Sequence, residues 1–274
     1  MLAWFKELDE VLRGKMADPD RLAEGTSHIH VGPLVGVSIA LGVIYGLAMG
    51  LFAVLTREPA CFAQLVASAA KVPALFFFTL VVTFPSLYVF SALLGVKMGP
   101  KDTLRLIAAP LAVNLAVLAS FAPITAFFTL NTTSYPFMKL LNVFFFAVAG
   151  FIGLGVLLNL LRRVEAAQAP AFEEPEAPRV DVPEEGGAPS ADAQAKAADA
   201  ARRYGRWVDQ RRERDRAQWT FRIWLILYAL VGAQMGWILR PFIGSPELPF
   251  EIFRPRHTNI FVDVLHSLSE LLGG

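Results

Sequence analysis

Residues 72–96, VPALFFFTLVVTFPSLYVFSALLGV, hold no Asp, Glu, Lys, Arg or His and lie between Lys71 and Lys97. A helix rises about 1.5 Å per residue, so roughly 20 apolar residues cross a hydrocarbon core of about 30 Å. This run is long enough to cross with some tilt. Pro85 would break such a helix in water, but in lipid neighbouring helices and hydroxyl groups satisfy the carbonyl that a proline frees. Thr83, Ser86 and Tyr88 are the hydroxyls placed to do so. A single run of this kind also suits the buried core of a soluble protein. Recurrence decides against that reading.

Comparable runs fall at 31–56, 104–130, 140–161 and 223–239. The expected fold is all-α: a polytopic membrane helix bundle with five transmembrane helices plus amphipathic N- and C-terminal helices. Composition agrees, since 55% of the 274 residues are hydrophobic and 18% charged, against about 25% charged in ordinary soluble domains. The first apolar run begins only after six acids and four bases, which suits a retained anchor better than a cleaved signal peptide.

The chain divides by composition. Residues 1–30 form an amphipathic cytoplasmic N-terminus, with Met1, Phe5, Leu8 and Leu12 on one helical face and Trp4 and Val11 flanking it. That pattern fits a membrane surface, a partner, or a dock on the chain's own loops. Residues 31–161 form a four-span membrane domain, in which 59–70 is apolar but too short to cross and is expected to lie at the interface. Residues 162–200 are rich in Ala, Pro and Glu, cannot bury enough apolar surface to offset chain entropy, and are expected to be a disordered linker. Residues 201–217 make a basic juxtamembrane helix that is expected to run on into the last span, and in it Arg202, Arg203, Arg206, Arg211 and Arg212 are candidates for lipid headgroups or an acidic partner. Residues 218–240 hold the fifth span. Trp219, Trp224 and Trp237 near its ends suit an aromatic belt. The external tail, 241–274, is aromatic and then amphipathic, and suits either docking on the outer membrane surface or plugging the bundle.

Small residues four apart let helices approach closely. Gly42, Gly46 and Gly50 form one such line and Gly232 and Gly236 another; packing within the chain is the favoured reading over contact with a second copy.

Charge gives an orientation. Of the 25 Lys and Arg residues, all but Arg57, Lys71, Lys139, Arg240, Arg254 and Arg256 fall on the side that carries the N-terminus, the turn between spans two and three, and the linker. The positive-inside bias therefore places those segments in the cytoplasm and the C-terminus outside.

Catalytic chemistry is hard to find. No span interior carries an ionisable Asp, Glu, Lys, Arg or His, and proton relays usually need one at depth. Asn114, Asn142 and Gln234 are the candidate interhelical polar or pore-lining side chains, better suited to hydrogen bonding between helices than to binding a ligand. His28 with His30, and His257, Asp263 and His266 in the tail, where Asp263 and His266 could share a helical face, are weak metal signals. With one cysteine, Cys61, no cysteine-based cluster is possible. No phosphate-binding, nucleotide-binding or hydrolase motif occurs. The expectation is a protein without enzymatic activity, cofactor or metal, and with no nucleic-acid partner.

A proline-led span followed by SALLGVKMGPKDTLRLIAAPLA (91–112) resembles the pattern of Yip1-type five-span membrane domains, whose N-terminus is cytoplasmic. FPSLYVFSALLG (84–95), TTSYPFMKLLNV (132–143) and GAQMGWILRPFIGSP (232–246) are similar to a bacterial multi-pass membrane family without an assigned function. The first resemblance implies a role with membrane-protein partners; neither carries functional residues across. The expected function is a membrane scaffold or partner-recruiting protein of a bacterial cytoplasmic membrane, its partners being the lipid bilayer and a membrane protein or further copies of itself. The alternative is a homo-oligomeric channel with a polar path of Asn and hydroxyl side chains.

Overall fold

The structure, a computed structural model, describes residues 2–13, 31–93, 100–168, 191–245, 249–253 and 259–272. Seven helices cover most of them: α1 (Leu2–Leu12), α2 (Val31–Thr56), α3 (Phe62–Leu93), α4 (Pro100–Asn131), α5 (Tyr135–Gln168), α6 (Ala191–Ile238) and α7 (Ile260–Leu272). Among the described residues there is no strand. Helices α2 to α5 are each long and apolar enough to cross a membrane. Apolar side chains cover their outside as well as their core: Val81, Phe127, Phe144 and Phe151 all point outward. This is the surface expected where lipid, not water, is the solvent.

Helix α2 is central, packing most extensively on α3 and α4, while α5 packs on α4. The α2–α3 pair is antiparallel, and its glycine line makes the contact. A Cβ at Gly50 would meet Leu65 Cα at 2.7 Å, one at Gly46 would meet Ala69 Cα at 2.7 Å, and one at Gly42 would meet Pro73 Cβ at 3.1 Å. Backbones come this close only where side chains are absent, and close approach is what dispersion rewards in lipid. The expected packing within the chain is what the structure contains for Gly42, Gly46 and Gly50.

The core lies in two layers. At one end Leu34, Ile107, Leu157 and Leu160 gather with Leu8 and Val11 of α1. At the other, Tyr45, Phe52, Leu115, Leu118, Met138 and Phe145 gather with Ile243. Helix α1 therefore docks on the protein's own helices. It does so with Leu8 of the predicted face and the flanking Val11, while Leu12 of that face is exposed.

Two boundaries differ from expectation. Residues 62–70 are not a separate interfacial helix, because α3 runs unbroken from Phe62 through Pro73 and Pro85 to Leu93. An apolar count alone cannot see that a helix continues past a lysine whose charge is satisfied by protein. Two parts of the expected linker are helical: 162–168 continue α5 to Gln168 and 191–200 begin α6 at Ala191, while 169–190 lie outside the described residues. The basic helix runs on into the last apolar segment, as expected, and the two make one helix roughly 72 Å long at 1.5 Å per residue.

The apolar part of α6, Ile223–Ile238, lies antiparallel along α3. Trp224 Nε1 donates to Ser86 Oγ at 2.9 Å, and Cβ atoms at Gly232 and Gly236 would rest in ordinary contact on Thr79 and Leu75. Trp224 and Trp237 are buried, so they do not form the expected belt; their rings fill the α3–α6 interface and the bundle end instead. The side chain of Trp219 lies outside the described residues. Around Pro85 the hydroxyls do bond back to the helix, Thr83 to the Thr79 carbonyl and Ser86 to the Thr83 carbonyl, both at 2.7 Å. Neither reaches the Val81 carbonyl, four residues before the proline, and Tyr88 is exposed.

Candidate functional site

The densest buried polar cluster outside the expected candidates stands on the first turns of α3. Gln64, Ser68 and Lys71 recur at helical spacing on one face, and each is at most 6% exposed. Polar groups taken out of water need partners, and the partners here are backbone carbonyls of the segment that follows α6. Gln64 Nε2 donates to the carbonyls of Pro241 (3.1 Å) and Phe242 (2.9 Å). Ser68 Oγ donates to the Phe242 carbonyl as well. Lys71 Nζ donates to the Pro241 carbonyl at 2.9 Å and to the Ile252 carbonyl, with the Phe253 ring centred 5.4 Å away. Carbonyl dipoles and a ring face thus replace the water that the ammonium has lost.

The captured segment is shaped for this seat. Gly244 has φ +78°, and a Cβ there would stand 2.8 Å from Gln64 Cγ, so both backbone and space call for glycine. Phe242 packs on Phe146 (6.1 Å between centroids), and Ile243 enters the core. Arg240 lies over the Trp237 ring at 3.7 Å. The tail therefore docks on the bundle. A second attachment joins α7 to α5: Lys139 Nζ pairs with Asp263 Oδ2 at 3.0 Å, both groups partly buried.

The three polar candidates do not converge. Asn142 sits in a knot between three helices. Its Oδ1 accepts from the Tyr45 hydroxyl of α2 at 2.7 Å, its Nδ2 donates to the Met138 carbonyl, and Thr125 of α4 lies against the Tyr45 hydroxyl. Asn114 is buried elsewhere, between α4 and α5, where a Cβ at Gly153 would come within 2.1 Å of its Oδ1. That oxygen has no hydrogen-bond donor. Gln234 is exposed on α6.

The basic candidates Arg202, Arg203, Arg206, Arg211 and Arg212 are all exposed on α6. Arg203 pairs with Asp199 one turn earlier at 2.9 Å, and Arg211 lies 5.0 Å over the ring of Trp207, which stacks on Tyr204. The metal candidates separate in the same way: His266 pairs with Glu270 at 3.1 Å and Asp263 with Lys139, while His28, His30 and His257 lie outside the described residues. Among the described residues no three His, Cys, Asp or Glu side chains gather as metal ligands would.

No protein-family model, curated protein or solved structure matches this chain. The site has to be interpreted from its own geometry.

Proposed function

We propose that this is an integral membrane scaffold that recruits a partner through the basic end of α6, without enzymatic activity. The observation that carries it is the build of α6. One uninterrupted helix presents five exposed arginines at one end and packs on the bundle at the other. Among the described residues, Lys139 pairs with Asp263, His266 with Glu270, and Lys71 with backbone carbonyls. Such a rod suits an acidic membrane protein or anionic headgroups at the cytoplasmic surface, in keeping with the resemblance to Yip1-type domains.

Five crossings are part of the same reading. Ile223–Ile238 rises about 24 Å, short of the hydrocarbon thickness. It nonetheless runs beside α3 from the level of Ser86 to that of Lys71, and the stem of Arg240 can snorkel at its end. The N-terminus and linker then face a bacterial cytoplasm, with the tail outside. Labelling of Cys61 by a membrane-impermeant maleimide in intact cells tests the orientation; labelling only after permeabilisation reverses it.

Recruitment is tested by photo-crosslinking from position 207 in native membranes, with the full chain and with Arg202, Arg203, Arg206, Arg211 and Arg212 changed to Glu. A discrete crosslinked protein lost in the charge-reversed chain supports the reading. The absence of any crosslinked partner or second copy in both chains overturns it.

A further inference from the structure

Helix α7 is docked with its apolar stripe facing away from the protein. Phe261, Leu265, Leu268 and Leu272 fall at helical spacing on one line and are 54%, 65%, 42% and 78% exposed. The face turned toward the bundle mixes half-buried Ile260 and Val264 with the polar residues Asp263 and Ser267. Ser267 is fully buried, its hydroxyl donating to the Asp263 carbonyl at 2.8 Å, and Asp263 holds Lys139. A third face carries the exposed His266–Glu270 pair. Asn259 Oδ1 caps the helix by accepting from Val262 N at 3.0 Å, so the register of these faces is fixed from its first turn.

A helix that meets its protein along a flank, with apolar and charged faces both open, suits a boundary between two solvents. Its depth agrees. Lys139 lies four residues into α5, roughly 6 Å of rise from the helix start, and interfacial helices bury their apolar face about 5–10 Å into the headgroup–acyl boundary. The helix on which it docks is apolar outward too, with Phe144, Phe151 and Ile152 exposed, so the stripe extends a surface already suited to lipid.

We propose that α7 lies in the bilayer interface at this end of the bundle, with the Phe261–Leu265–Leu268–Leu272 stripe in lipid hydrocarbon and His266 and Glu270 in water, and that Lys139–Asp263 fixes its azimuth. This rests on the membrane reading above and goes beyond it in assigning the tail an occupant. The tail is then a lipid-facing collar rather than a plug.

The test uses the full chain in vesicles of neutral phosphatidylcholine. On a Cys61→Ala background, single nitroxide labels are placed by Leu265→Cys, Leu268→Cys, His266→Cys and Glu270→Cys, with Phe151→Cys as the reference for a span. Collision with oxygen, which concentrates in lipid, is compared with collision with a water-soluble nickel chelate. Labels at 265 and 268 are expected to favour oxygen several-fold, and labels at 266 and 270 to favour nickel by a similar ratio. Equal nickel access at 265 and 266, with 151 still in lipid, overturns the proposal alone; nickel access at 151 overturns the membrane reading itself. Spin–spin broadening at 265 or 268, abolished by dilution with unlabelled protein, assigns the stripe to a second copy and also overturns the proposal.

Discussion

The carbonyl oxygen of Ser68 stands 2.5 Å from where a Cβ on Gly46 would have to be. The two helices thus touch backbone to backbone, with no flexible side chain between them to give way. This contact seats α3 on α2, and it places Gln64, Ser68 and Lys71 where they meet the segment after α6.

Gly46→Ala is therefore expected to lower stability by about 1–3 kcal/mol, the range for overpacking a well-filled interface. Gly150→Ala, where nothing lies within 4 Å of the added carbon, should leave stability unchanged or raise it by up to about 1 kcal/mol, since Ala is the better helix former. Unfolding midpoints in mixed micelles check the pair, and equal effects would contradict the close approach.

The two buried asparagines are expected to behave oppositely. A Tyr45→Phe, Asn142→Leu double-mutant cycle should return a coupling of about 0.6 kcal/mol, the usual interhelical value, and no more than about 1.7 kcal/mol. Asn114→Leu should leave stability unchanged or raise it, because its oxygen has no donor to lose and a similar apolar volume removes a buried unmet acceptor. Equilibrium unfolding of the single and double variants decides.

Lys71→Met should loosen the segment from Pro241 to Phe253. The carbonyls of Pro241 and Ile252 lose their charged donor, at a cost of about 1–3 kcal/mol, and every 1.4 kcal/mol is about tenfold in the open population. Cleavage around Glu251–Phe253 by a protease on the tail side should speed up accordingly, with Lys71→Arg less affected. An unchanged rate would mean that the lysine does not hold the segment.

Trp224→Phe and Ser86→Ala each break the same bond between α6 and α3. Each is expected to cost under about 2 kcal/mol, and the pair less than the sum of the two. Strict additivity would show that the indole N–H and the hydroxyl do not act together.

Much of this fold was legible because lipid imposes a length. The long apolar runs marked α2 to α5, and the four-residue spacing of Gly42, Gly46 and Gly50 marked the seam. Asn142 was legible as a link between helices because a buried amide must find a partner. From charge alone Lys71 reads as the end of a span, although Gln64, Ser68 and Lys71 share a helical face. Their acceptors are main-chain carbonyls 170 or more residues away, and a carbonyl leaves no mark in a sequence. Trp224 looked like an interfacial indole for the same reason: its acceptor is 138 residues distant. The return of helix formers with many arginines just before the last apolar segment already marks a basic helix that runs on into it, and α6 is that continuous helix.

That continuity has a mechanical consequence. No proline interrupts α6 between Ala191 and Ile238, so a load applied near Arg202 meets no such hinge before the indole anchored on Ser86. Twist or pull at the basic end is delivered, as through a crankshaft, to the strap carrying Pro241 and Phe242.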